Sequence, residues 1–175
     1  MYHERQSRQM CLVHALNGLL QRPHFTPEAL DEICYSLNDS RWFNPHRSML
    51  GLGNYDANVL MSALAMHDYN VVWFDGRLPV ERIRFENLDA LIINVPTRHY
   101  LPFWKGRHWY TILHREPGRF FNLDSKLPGP MELYDVTEHC RYLLSNTEDA
   151  NQIFLVGKRD PSLFVSNVEP VVNGV

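Results

Sequence analysis

Apolar residues first recur at helical spacing between Cys11 and Gln21, where Leu12, Ala15, Leu16, Leu19 and Leu20 form one stripe. Pro23 stops that pattern. A second helix is expected after it, with Thr26 as N-cap, Pro27 in the first turn and Glu28 near the positive helix end. Leu30, Ile33, Cys34 and Leu37 then face one way. From Asn38 to Asn54 the chain has no period and carries Pro45, Gly51 and Gly53. A third helix is predicted from Asp56 to His67, burying Val59, Leu60, Ala63, Leu64 and also Met66. Beyond it the pattern changes to extended runs: Asn70–Phe74 before an Asp-Gly turn, Leu91–Val95 before Pro96, His108–Leu113, Arg119–Asp124 and Gln152–Gly157. A helix around Met131–Leu144 separates the last two. Pro161–Val175 carries weak signals and reads as a tail.

Helices come first and strands mostly later. That order predicts an α+β fold with N-terminal helices packed on a mainly antiparallel sheet. A helix on that sheet would bring residue 11 near the later strands.

Composition narrows the functional classes. At 175 residues the chain fits one domain. The expected division is a domain over residues 2–160 and a tail over 161–175. A formal charge of −3 gives no basic footprint for nucleic acid. No apolar run is long enough to span a bilayer, and the polar start Met1–Gln6 lacks the apolar stretch of a secretory signal. Cys11, Cys34 and Cys140 are too few and too dispersed for a disulfide framework. This implies a reducing compartment, with a cytoplasmic and also nuclear setting expected.

Three features carry candidate chemistry. Cys11 opens an amphipathic helix, whose positive end favours thiolate over thiol and whose start should leave the sulfur open to solvent. Gln6 lies just upstream with an amide able to donate to a developing oxyanion. Read alone, Cys11 fits a buried structural cysteine equally well. His108 opens an apolar strand in Gly106-Arg107-His108-Trp109-Tyr110, yet it is one of nine histidines. Asn122 and Asp124 alternate with apolar neighbours and share a strand face, which a half-exposed strand also explains. Together they supply a nucleophile, a base and an orienting group. The order Cys, His, then Asn or Asp, with the histidine roughly a hundred residues after the cysteine, is that of papain-like peptidases.

The segment His3-Glu4-x-Gln6-(x4)-Cys11-x-x-His14-x-x-Asn17-x-Leu19-Leu20-Gln21 resembles the opening of the Josephin family. His108-Trp109 and Phe121-Asn122-Leu123-Asp124-Ser125 resemble its second and third catalytic blocks. The likeness covers about residues 2–160. It implies a papain-like Josephin fold and a cysteine protease that cleaves ubiquitin from proteins and chains. Cys11 would be the nucleophile, His108 the base and Gln6 the oxyanion donor. The expected partners are ubiquitin, its chains and ubiquitinated proteins. No cofactor or metal is implied. His14, one helical turn from Cys11, raises a metal reading, but a zinc site needs three or four protein ligands and no second close Cys/His pair exists. His14 is therefore assigned to helix packing, and Trp109 to the wall beside the site.

The third catalytic member falls on Asp124 in the family pattern, and hairpin geometry gives a separate test. Treating His114–Gly118 as a five-residue loop opposes Leu113 to Arg119 and His108 to Asp124. Asn122 then lies one same-face step away as a supporting neighbour. The irregular 38–54 stretch, with Trp42, Phe43 and Met49, is long for a structureless connection. It corresponds in the family to a helical arm beside the cleft, and otherwise covers its own core.

Overall fold

The computed structural model describes residues 1–5, 10–39, 57–97 and 106–167. Gln6 and residues 40–54 of the irregular stretch therefore lie outside the described residues. The helices are α1 (Cys11–Leu20), α2 (Pro27–Asp39), α3 (Ala57–Ala65) and α4 (Val136–Ser145). The strands are β1 (Asn70–Trp73), β2 (Ala90–Thr97), β3 (Gly106–Glu116), β4 (Arg119–Asn122), β5 (Met131–Leu133) and β6 (Gln152–Gly157). They form one sheet in the order β1-β6-β2-β3-β4-β5. Every pairing is antiparallel. The α+β expectation is met.

The run Leu91-Ile92-Ile93 is unbroken because the sheet is covered on both faces. Ala90 and Ile92 turn toward α1, α2 and α3 and pack with Leu12, Leu16, Leu30 and Leu60. Leu91 and Ile93 turn the other way, against Cys140 and Leu143 of α4 and Phe164. Strand alternation thus builds two cores from one sheet. Thr26 caps α2 as expected, its Oγ1 accepting from the Ala29 amide at 3.3 Å. Thr111 of β3 is fully buried and donates its hydroxyl to the Ala15 carbonyl of α1 at 2.7 Å, fastening that helix to the middle of the sheet.

Three expectations need correction. Met66 lies just past the end of α3 and is 70% exposed, not part of its buried face. The helix predicted around Met131–Leu144 begins later, at Val136, where Asp135 accepts from the Thr137 and Glu138 amides. Met131–Leu133 instead forms the edge strand β5. The hairpin between β3 and β4 is tighter than the five-residue loop. Pro117 and Gly118, the latter at φ 76°, are the two turn residues between paired Glu116 and Arg119. A bulge between His114 and Glu116 absorbs the shift, and Leu113 faces Phe121, not Arg119.

Part of the expected tail is also packed. Phe164 is fully buried against the second core. Its carbonyl accepts from Arg84 at 2.9 Å, and the Ser166 amide donates to the Arg82 carbonyl at 2.7 Å. Gly157 permits the close approach, since a Cβ there would lie 3.0 Å from the Phe164 ring and 3.1 Å from the Asn87 carbonyl. A single aromatic residue has no period, so the sequence pattern passes over it. Phe164→Ala should lower unfolding free energy by about 3–5 kcal/mol, the usual result of emptying a buried aromatic site. Denaturant titration measures it, and an unchanged midpoint would mean the segment is undocked in solution.

Candidate active site

The site forms where β4 ends early. Leu123 still donates its amide to the Thr111 carbonyl at 2.8 Å, and then the chain leaves β3 in a turn closed by Leu127 N–H to the Asp124 carbonyl at 2.9 Å. Residues 107 and 109 have the same parity as 111, so their main-chain groups face the space that a longer β4 would fill. The N-terminus of α1 enters that wedge. The Cys11 thiol donates to the Arg107 carbonyl at 3.9 Å, and the Trp109 and Leu12 main chain hydrogen-bonds its sulfur.

Cys11 is consequently 8% exposed and belongs to the first core. The expectation that a helix start leaves the thiol open to solvent is corrected by this packing. Burial itself opposes the thiolate. The hydrogen bond from His108, the Trp109 main chain, the His108 charge and the Leu12 main chain outweigh it, so the thiol sits below its ordinary range. No acidic residue occupies the first turn of α1 to cancel its positive end.

His108 is 3% exposed. Its Nε2 lies 2.7 Å from Asp124 Oδ1, and it also interacts with the Cys11 sulfur. Burial works against the imidazolium. The Asp124 and Cys11 hydrogen bonds and the Asp124 charge overcome both burial and the opposing Lys126 charge, and the histidine is held above its usual range. Burial likewise pushes the Asp124 carboxyl up. The bond to His108, the Lys126 amide and both nearby positive charges pull it below the normal carboxylate range.

Asp124, not Asn122, meets the histidine, though by a different register from the one expected. With Ile112 opposite Asn122, continuation of the pairing would set Asp124 across from Tyr110, one same-face step from His108. That diagonal is within reach of an imidazole and a carboxylate. Asn122 is a further step away. Its Oδ1 instead accepts the Asp124 amide at 2.9 Å and steadies the turn.

Trp109 is 2% exposed and packs at 5.6 Å against Phe154 in the first core. His14 Nδ1 pairs with Glu4 Oε2. Among the described residues, no three His, Cys, Asp or Glu side chains are grouped to hold a metal ion.

Sequence reasoning quoted His3, Glu4 and Asn17 only as letters of a motif. In the structure residues 2–4 run along a polar stripe of α1 made by His14, Asn17 and the following Gln21. Gln21 Oε1 accepts the Tyr2 amide at 3.0 Å. Glu4 joins His14 and accepts from Asn17 Nδ2 at 3.1 Å. Asn17, 2% exposed, also donates to the Phe25 carbonyl and accepts the His24 and Phe25 amides, so every polar valence of its amide is used. The readable signal was the spacing of 14, 17 and 21 on an otherwise apolar helix.

A thiol, an imidazole and a carboxylate brought together, the last two hydrogen-bonded, with the thiol at a helix N-terminus against an antiparallel sheet, define a cysteine-protease-like site. Residues 6–157 match the family model described as Josephin. The chain belongs to the Josephin family. It is 40% identical over 162 residues to "Josephin-like protein" of Drosophila melanogaster, covering 89% of this chain and 73% of that one. It is 44% identical over 139 residues to human "Josephin-2", covering 77% and 73%. Human "Ataxin-3" is 28% identical over 174 residues, covering 89% of this chain and 45% of its own length.

Proposed function

We propose that this protein is a thiol-dependent ubiquitin hydrolase. The observation carrying the proposal is the convergence of Cys11, His108 and Asp124, with His108 Nε2 2.7 Å from Asp124 Oδ1 and His108 lowering the Cys11 thiol. Membership of the Josephin family supports ubiquitin, ubiquitin chains and ubiquitinated proteins as its substrates.

In this reading the Cys11 thiolate attacks the carbonyl carbon of ubiquitin's C-terminal glycine. Gln6 and the main-chain N–H groups at the start of α1 receive the developing oxyanion. His108, as imidazolium, gives its proton to the leaving lysine amine as the C–N bond breaks. Water then attacks the thioester while His108 takes its proton, and the thiolate is released. Asp124 fixes the imidazole orientation and stabilises its charged form. The family likeness gives a domain over residues 2–160, and the packed segment around Phe164 extends it. Three free cysteines support a cytoplasmic setting.

The burial of both Cys11 and His108 favours a second reading, a ubiquitin-binding module whose turnover is gated. Ubiquitin carrying an electrophile at its C-terminus separates the two. The expected result is a covalent adduct at Cys11, seen by intact mass and mapped by peptide. Reversible binding without an adduct would support the module, and neither outcome would remove ubiquitin from the reading.

A further inference from the structure

Asp124 lies past the end of β4 and has no strand partner. Three local contacts hold it: Asn122 Oδ1 on its amide at 2.9 Å, the Lys126 amide on its Oδ1 at 2.9 Å and the Leu127 amide on its carbonyl at 2.9 Å. The last two come from the turn itself and can move with it, while Asn122 ends β4. Besides the His108 contact, one further described hydrogen bond comes from elsewhere in the chain. His3 Nε2 lies 3.0 Å from the Asp124 carbonyl oxygen. Since a carbonyl only accepts, His3 carries its proton on Nε2 and donates.

His3 is itself fixed from both sides. Tyr2 exchanges two hydrogen bonds with Gln21, at 3.0 and 3.2 Å. Glu4 is held by His14 and Asn17. All three anchoring residues belong to α1 or its C-cap, and α1 is the helix that presents Cys11. Beside the Cys11–His108–Asp124 arrangement itself, His3 is thus a second described side-chain link from the α1 frame to the turn that bears the carboxylate.

We propose that His3 is a positioning residue of the thiol site, holding the Asp124 turn at the distance from α1 that keeps Cys11, His108 and Asp124 in line. The inference deepens the proposed hydrolase reading and rests on it for the catalytic consequence, but the geometry of the thiol can be read without any substrate.

The test is the pH profile of Cys11 alkylation by iodoacetamide, followed on the Cys11 peptide by mass spectrometry, in the full chain. The charge acting on that thiol is that of His108, itself set by Asp124 and Lys126, and none of the three is altered. Wild type, His3→Ala, His3→Asn and His3→Gln are compared. A glutamine amide can place its nitrogen where Nε2 sits, and an asparagine amide stops one bond short. His3→Ala and His3→Asn should slow alkylation at about pH 6 by roughly three- to tenfold, equivalent to half to one unit in the thiol titration. His3→Gln should stay within about twofold of wild type, a rescue that lost bulk alone would not give. In ubiquitin hydrolysis the same two variants should lose kcat with KM nearly unchanged.

Profiles of His3→Ala and His3→Asn that overlay the wild type would overturn the proposal. So would an equal loss in His3→Gln, which would assign the effect to ring packing. If His3→Ala fails to fold, the Asn/Gln pair, differing by one methylene, decides alone. A wild type that alkylates readily yet never hydrolyses ubiquitin would refute the proposed function, and the alkylation comparison would still judge His3.

Discussion

Alanine in place of Cys11 should abolish hydrolysis of a fluorogenic ubiquitin substrate while leaving the fold and ubiquitin binding in place. The loss should be total within detection, because no other described thiol can replace it. Cys140 is fully buried on the opposite side of the sheet, and burial pushes its thiol up to about 12. Cys34 lies on α2, half-buried against the first core. Cys34→Ala and Cys140→Ala should both keep activity. Because Cys11 packs in the core, its alanine variant also loses a sulfur's contacts, a loss of about 1 kcal/mol at most for so small a change. Circular dichroism and a ubiquitin pull-down report the retained fold and binding. Strong turnover in the Cys11 variant would refute the nucleophile assignment.

The second large effect should come from Asp124. Asp124→Ala removes the partner that orients His108 and should reduce kcat/KM by roughly 10²–10⁴-fold. Asp124→Asn is nearly isosteric and keeps an acceptor for Nε2–H, so it should retain more. The sign of its pH effect follows from the site. The carboxylate raises the His108 pKa and, through the imidazolium, lowers that of Cys11. Activity needs thiolate and imidazolium together. Without the negative charge the histidine loses its proton at lower pH, and the thiol ionises at higher pH. The bell-shaped profile should therefore contract from both sides, by about tenfold in rate for each pKa unit lost. Asn122→Ala should be milder, because Asn122 only accepts the Asp124 amide. If Asn122→Ala is instead the more damaging change, the roles of the two residues are exchanged.

The helices were legible because their signals are local. Thr26-Pro27 marks the start of α2, and the stripe Leu12 to Leu19 marks the buried face of α1. The two-sided burial of β2 was visible as an unbroken apolar run. What escaped depended on tertiary fit. Met131-Glu132-Leu133 is too short to show alternation and becomes a strand only because β4 offers its edge. The bulge at His114–Glu116 follows from the Pro117-Gly118 turn and moved the register by one same-face step. Asp124 was the right neighbour of His108 because the diagonal reach of the two side chains tolerates that step. The burial of Cys11 was open in the sequence as a structural-cysteine reading but could not be combined there with a reactive thiol, since that depends on where β4 stops.

The position of β6 has a consequence for the newborn protein. This strand is the last of the described ones in the sequence, yet it lies inside the sheet between β1 and β2, one strand in from the edge. Phe154 and Val156 on it complete the surface against which α1 rests. As the ribosome releases the chain from its N-terminus, Cys11, His108 and Asp124 all emerge well before Gly157. Until β6 arrives, β1 has no partner and β2 lacks one of its two neighbours. The helix carrying the thiol then lacks part of its seat. Assembly of the reactive centre is thus tied to near-completion of the domain, which keeps a half-made copy chemically silent.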